Sequence, residues 1–282
     1  MVLSDDEFKL FSSLIYNESG IILKETKKEY LQVRIQKRLQ AHQLTSYYRY
    51  YKFVTDKSRG QRELLDLVDS LTINETSFFR NRPQFDLFSN LVIPALIKNK
   101  IQSDNKLRLW SAGCSRGQEP YSIAMSVLNR IDAGNVLDIK ILASDISMRM
   151  LDIAQKGTYC EQDMNNVTHD LRSAYFEQID DRYCIKPQVK NLVIFDYHNL
   201  KNDNGFKDLD VIFCRNVMIY FDQEEQKRLV HKLCQSLSDG GYLFLGHSES
   251  LQGISNKFKF IYHNSGTVYQ KIEEHSSLLP CP

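Results

Sequence analysis

Over the first seventy residues apolar positions recur at spacings of three and four, as in Phe8, Phe11, Leu14 and Ile15 and again in Leu64, Leu65, Leu67 and Val68. This period predicts a small all-helical domain over 1–70. Beyond it the rhythm changes. Leu107, Leu109 and Trp110 form a short apolar run typical of a buried strand, and Ile123, Ala124, Val127 and Leu128 follow at helical spacing. Further strands are predicted at Ile139 to Ala143, ending in Ser144 and Asp145, at Leu192 to Phe195, and at Leu209 to Cys214. Strands alternating with helices imply an α/β domain built on an open, mostly parallel sheet. Between Tyr159 and about Lys190 the alternation breaks into a small insertion. Gly240 to Gln270 reads as two antiparallel edge strands, YLFLGH and TVYQK, with Gly240 and Gly241 forming the turn before them. The closing EEHSSLLPCP reads as a frayed tail.

The first strand runs into its helix through Ser111, Ala112, Gly113, Cys114, Ser115 and Gly117. Such small residues let a backbone approach a ligand at the nucleotide-binding corner of an α/β sheet. The spacing is not GxGxxG, so a dinucleotide pyrophosphate is not the expected guest. Glu119 would oppose a phosphate but suits an ammonium, as in S-adenosylmethionine; it could equally be an acid favouring a helix N-terminus. Asp145, at the tip of the second strand, is placed to accept hydrogen bonds from a ribose diol, with a helix N-cap as its alternative role.

Five stretches then carry a family resemblance through nearly the whole chain: LTINETSFFR (71–80), WSAGCSRGQEPYSIAM (110–125), ASDIS with MLDIAQKGTY (143–159), VIFCRNVMIYF (211–221) and GGYLFLGHSESL (240–251). The sequence resembles the chemotaxis receptor glutamate methyltransferases of the CheR type. The resemblance implies a Rossmann-like class I S-adenosylmethionine-dependent methyltransferase domain at 93–282, with a small antiparallel β subdomain inserted at about 158–190. A connector over the active site would occupy 71–92, behind the all-α N-terminal domain. It further implies that Asn74, Thr76, Arg80, Glu119, Asp145, Asn199, Leu200, Arg215 and Asn216 hold the cofactor, and that Arg80 and Tyr220 position the reacting groups. Arg34, Lys37 and Arg38, on the basic stripe of the Tyr30 to Leu44 helix, would meet the acidic methylation region of a chemoreceptor cytoplasmic domain. The product would be S-adenosylhomocysteine. IDDRYCIKPQ is short and lacks glycine, so capture of a receptor's C-terminal tether peptide by the β subdomain is not expected.

A receptor glutamate is already a carboxylate near neutral pH, so the chemistry requires alignment rather than a general base. His247 and Glu249, one His and one Glu at a strand end, make no triad with any placed nucleophile and receive no catalytic role. Two other readings stay open: a methyltransferase of the same fold acting on another protein or a small molecule, and a cofactor-binding signalling module without turnover.

Of the 282 residues a quarter are charged and the net charge is +1, which gives no electrostatic case for nucleic-acid binding. The acidic start MVLSDDEFKL lacks the pattern of a secretory leader, and no apolar run reaches the length of a membrane span. A cytoplasmic, monomeric enzyme is expected. The six cysteines, Cys114, Cys160, Cys184, Cys214, Cys234 and Cys281, form no CxxC pair and no metal spacing, and read as reduced, buried small hydrophobes. No metal is expected.

Overall fold

A computed structural model describes residues 2–131 and 137–273. The expected frayed tail, apart from Glu273, and Cys281 lie outside the described residues.

The N-terminal domain holds four helices, α1 (Asp5–Ser19), α2 (Lys28–Ala41), α3 (Tyr47–Val54) and α4 (Gln61–Leu71). Helix α1 starts at a capping box, in which the Ser4 hydroxyl accepts from the Glu7 amide while the Glu7 carboxylate accepts from the Ser4 amide. It stops at Gly20, whose φ of 77° suits a residue without Cβ. Helix α2 turns Leu31, Ile35 and Leu39 into a core shared with Phe11, Ile15 and Tyr50. Its polar stripe is thereby left outward.

After α4 the chain is irregular through 72–81, then helical again in α5 (Arg82–Leu87), a π turn (Phe88–Val92) and α6 (Ile93–Ile101). The α/β domain follows as β1 (Lys106–Ala112), α7 (Gln118–Leu128), β2 (Asp138–Asp145) and α8 (Met148–Lys156). Next come β3 (Thr158–Cys160), α9 (His169–Tyr175), β4 (Phe176–Ile179), β5 (Arg182–Ile185), α10 (Pro187–Lys190) and β6 (Val193–Tyr197). The chain closes through β7 (Leu209–Cys214), α11 (Gln223–Ser236), β8 (Leu237–Leu245), β9 (Phe258–His263) and β10 (Gly266–Lys271). Seven strands form one sheet in the order β6-β2-β1-β7-β8-β10-β9. The chain leaves β1 toward β2 on one side and β7 on the other, which opens a crevice at the carboxyl ends of these strands. Strand β7 is buried along its whole length.

The C-terminal expectation needs correction. YLFL, the first part of YLFLGH, ends β8, which lies inside the sheet and runs parallel to β7; only its pairing with β10 is antiparallel. TVYQK, within β10, is not an edge either, because β9 pairs outside it. Gly240 and Gly241 fall within β8, beside an irregularity in its pairing with β7, rather than in a turn before it.

The insertion is a three-stranded antiparallel sheet ordered β3-β5-β4. Phe78 of the connector packs edge-on against Tyr159 and Phe176 of this subdomain, at 4.8 and 5.4 Å between ring centroids. The Phe79 amide donates to Ser122 Oγ of α7 at 3.0 Å. These contacts fix the segment that follows α4 against the β subdomain and α7.

The helical domain closes another side. Carbonyls of the last turn of α1 are met by the other domain: Lys201 Nζ donates to Tyr16 O (2.9 Å), which the Gly20 amide also reaches, and to Asn17 O (2.6 Å), and Asn199 Nδ2 donates to Glu18 O (2.7 Å). Tyr16 donates its hydroxyl to Asp222 at 2.8 Å, and the Ile22 amide donates to Tyr220 O at 3.0 Å.

Candidate active site

The crevice holds a cavity of about 1030 Å³ counted out to its mouth. Its floor is the turn after β1. Gly113 adopts φ 84°, and a Cβ there would stand 2.6 Å from Val217 Cγ2, so only glycine lets the β1 turn and the loop after β7 approach this closely. At the next tip, Asp145 accepts from the Ser115 amide with Oδ2 (2.7 Å) and from the Ser147 amide with Oδ1 (2.9 Å). Ser147 itself caps α8 by accepting from Met150 N. Asp145 thus braces the turn and still lines the cavity. Burial pushes its carboxyl above the usual range, against those two amides.

Glu119, in the first turn of α7, accepts from Ser111 Oγ at 2.7 Å and lies 3.5 Å from Arg215 Nη1. Burial raises its carboxyl and Arg215 and Ser111 oppose the rise. Arg215, buried over the face of Phe85 at 5.5 Å, donates Nη2 to the Arg80 carbonyl. Its Nε and Nη1 are buried without a hydrogen-bond partner; the approach of Nη1 to Glu119 is an ion pair without hydrogen-bond geometry.

Arg80 sits between two residues in the left-handed region, Phe79 (φ 51°) and Asn81 (φ 63°). A bulky aromatic there is costly and persists only because its neighbours hold it. Arg80 Nη1 donates to Glu75 O at 2.9 Å. Tyr220 lines the same space, with its hydroxyl kept protonated because burial raises it above the usual phenol range.

All ten side chains expected at the cofactor or the reacting groups line this one cavity: Asn74, Thr76 and Arg80 from the connector, Glu119 and Asp145 from the first two turns, Asn199, Leu200, Arg215, Asn216 and Tyr220 from the turns after β6 and β7. Asn199 also uses its amide structurally, donating to Glu18 O and accepting from the Lys201 amide in the turn-cap manner. Arg34, Lys37 and Arg38 lie elsewhere. Arg34 and Arg38 line a separate groove, and Lys37 is exposed on α2. Arg38 is taken up by Glu63 (Nε to Oε1, 2.8 Å) and by Asp66 (3.1 Å), while Arg34 stacks on Tyr30 at 5.0 Å.

Other contributors escaped the sequence reading. Ser19 and Ile21 of the helical domain line the cavity. Glu249 proves to be a structural anchor: its carboxylate accepts from the amides of Gly246 (2.6 Å), Asn216 (2.8 Å) and Met218 (2.8 Å), fixing the loop that carries Arg215 and Asn216. His198, whose Nε2 is buried without a partner, lies at the end of β6 beside Trp110 and Phe206. Of the cysteines described, Cys114, Cys214 and Cys234 are buried and Cys160 and Cys184 are partly exposed. Among the described residues no group of His, Cys, Asp and Glu could hold a metal ion, and no helix is long and apolar enough to cross a membrane.

Two family descriptions match end to end: CheR methyltransferase, all-alpha domain, over residues 6–72, and CheR methyltransferase, SAM binding domain, over residues 74–267. The chain belongs to the CheR methyltransferases. Among its relatives a chemotaxis protein methyltransferase of Borreliella burgdorferi is 37% identical over 259 residues, covering 90% of this chain and 91% of its own. One from Vibrio anguillarum is 35% identical over 276 residues (96% and 98%), and a probable one from Rhizobium etli is 35% identical over 263 residues (91% and 96%). The cofactor of this family domain is S-adenosylmethionine. The cavity suits it: Glu119 and Arg215, whose Nε and Nη1 make no hydrogen bond, would match a zwitterionic end, and Asp145 would match a diol.

Proposed function

We propose that this CheR methyltransferase transfers a methyl group from S-adenosylmethionine to glutamate side chains of chemoreceptor cytoplasmic domains, working in the cytoplasm as a monomer. The observation that carries the reading is the convergence of Arg80, Tyr220, Glu119, Asp145 and Arg215 on one cavity in a chain that matches both CheR domains over almost its whole length.

In this reading Glu119 holds the ammonium of the methionyl end and Arg215 its carboxylate; their 3.5 Å pairing opens to receive the zwitterion. Asp145 takes the ribose hydroxyls. Asn74 and Thr76 close the connector over the bound molecule, and Asn199, Leu200 and Asn216 bound it from the opposite wall. The cofactor supplies a methyl group on a sulfonium, ready for displacement by an oxygen nucleophile. The receptor carboxylate needs no deprotonation, so the protein's task is in-line alignment. Arg80, tied through Nη1 to Glu75 O, directs its charge at the entering carboxylate, and Tyr220 donates its protonated hydroxyl to hold the same group. The carboxylate oxygen gains the methyl as the carbon–sulfur bond breaks, leaving a neutral ester and S-adenosylhomocysteine.

Arg34, Lys37 and Arg38 give α2 a cationic face toward the receptor. The β4–β5 turn consists of Asp180 and Asp181, which supports recognition through the helical domain rather than through a receptor tail peptide. Labelled methyl transfer to a receptor cytoplasmic fragment tests the reading. Label that appears equally on a fragment whose target glutamates are changed to glutamine would refute it.

A further inference from the structure

Thr72 and Ile146 line both the cofactor cavity and a second groove, bounded by α2, α4 and the first turn of α8. Three of the four arginines of this groove, all but Arg34, lie against carboxylates. Arg62 Nε lies 3.6 Å from Asp66, Arg149 Nε lies 3.3 Å from Asp69, and Arg38 is held by Glu63. In three of the four pairs the carboxylate is the deeper partner: side-chain exposure is 76% against 39% for Arg62 and Asp66, 63% against 18% for Arg149 and Asp69, and 24% against 4% for Arg38 and Glu63; in the fourth, Arg38 with Asp66, the carboxylate is the more exposed, 39% against 24%. The pairs are formally neutral, yet a partner arriving from solvent meets guanidinium. Arg149 donates Nε to Asp69 at 3.3 Å, whereas Arg62 only approaches Asp66 at 3.6 Å without a hydrogen bond, and the terminal N–H groups of both make no hydrogen bond among the described residues. A guanidinium oriented in this way can take a carboxylate with little further ordering.

We propose that Arg62 and Arg149 extend the receptor-docking surface from α2 across α4 onto α8, so that an acidic receptor helix lies along this groove while its target glutamate enters the cavity beside Thr72. The inference rests on the receptor reading above and adds two contacts to it, one of them from the methyltransferase domain itself. Asp152 on α8 and the partly exposed Asp66 on α4 are carboxylates of the same groove, so an acidic partner is held at the two guanidiniums rather than along the whole groove.

The competing role for Arg149 is a tie between the two domains through Asp69, whose Oδ1 is buried without another partner. The two roles predict opposite patterns. If Arg149 docks the receptor, Arg149→Ala raises the KM for a receptor fragment about fivefold, while the affinity for S-adenosylhomocysteine, read by calorimetry, stays within about twofold. The difference shrinks near 0.5 M salt. Asp69→Asn, which frees Arg149 and removes a negative charge, leaves that KM at or below the wild-type value. Arg62→Ala, on an exposed helix position, raises it in the same direction as Arg149→Ala. A receptor KM unmoved in both arginine variants overturns the proposal. So does a parallel loss of receptor and cofactor affinity in Arg149→Ala and Asp69→Asn, the signature of a tie alone. Failure of the wild-type enzyme to label any receptor fragment would instead overturn the receptor reading, and this inference with it.

Discussion

Glu249 does not line the cavity, yet its replacement should cripple cofactor binding. Oε2 of its carboxylate accepts from Gly246 N and Asn216 N, and Oε1 from Met218 N, three bonds of 2.6–2.8 Å to a charged acceptor. Glu249→Gln keeps one oxygen, enough for the first two amides, but turns an amide N–H toward that of Met218. One charged bond is lost and two become neutral. With each charged bond worth about 1.5–3 kcal/mol and each neutral one about 1, and with allowance for partial exposure, the local cost is about 2 kcal/mol. That cost falls on the loop bearing Arg215 and Asn216 and leading to Tyr220, so the cofactor must restore its order on binding. An affinity loss of about tenfold follows, approaching thirtyfold if the whole cost is expressed. Calorimetric titration with S-adenosylhomocysteine reads it, alongside a thermal melt to show that the enzyme is folded. An affinity within twofold of wild type would refute the assignment of Glu249 as the anchor of this loop.

Arg80→Ala should retain cofactor binding within about fivefold while turnover on receptor falls by about 10²-fold or more, the loss of one oriented charge at the transition state; full turnover with cofactor bound would remove Arg80 from the site. Burial lifts the Glu119 and Asp145 carboxyls, so burying their charged forms costs stability above the raised values and that cost is relieved as pH falls. Cofactor binding requires the charged forms and should weaken as pH drops through those values. Glu119→Gln should bind about tenfold more weakly at neutral pH and show a shallower acid decline in calorimetry, the remainder being due to Asp145; an unchanged slope would exclude Glu119 as the ammonium partner. Lys201→Ala uncaps the end of α1 and should cost about 1 kcal/mol, seen as a lower melting temperature, with a modest loss of cofactor affinity because Ser19 and Ile21 belong to the cavity wall. A melting temperature equal to wild type would deny the cap its role.

What could be foreseen from the sequence was local. The apolar run before Ser111 and the small residues after it declare a strand, a turn and a helix, because burial and close backbone approach both leave their mark on residue type. The helical domain was equally plain, since α2 buries the Leu31, Ile35 and Leu39 stripe that its spacing displayed. Strand β9 was missed because it is an edge with little cover on either face, and Phe258 to His263 carry no clean alternation. Strand β8 was mistaken for an edge because adjacent glycines resemble a turn, whereas here Gly241 sits where a Cβ would come within 2.9 Å of Ser238 O. Within the site, the residues at motif positions line the cavity, but those acting through distant backbone gave no sign. Asn199 meets Glu18 across 181 positions and Glu249 meets Asn216 across 33, and neither partner can be read from local pattern.

The central claim is esterification of a receptor glutamate, and the most direct measurement follows the label to its chemical form. The enzyme is incubated with methyl-labelled S-adenosylmethionine and a receptor cytoplasmic fragment, and the protein is then treated with mild alkali. Volatile labelled methanol from the native fragment, absent when its target glutamates are glutamine, is the predicted result. Label that resists alkali, or that persists on the glutamine fragment, would contradict carboxyl methylation at these sites.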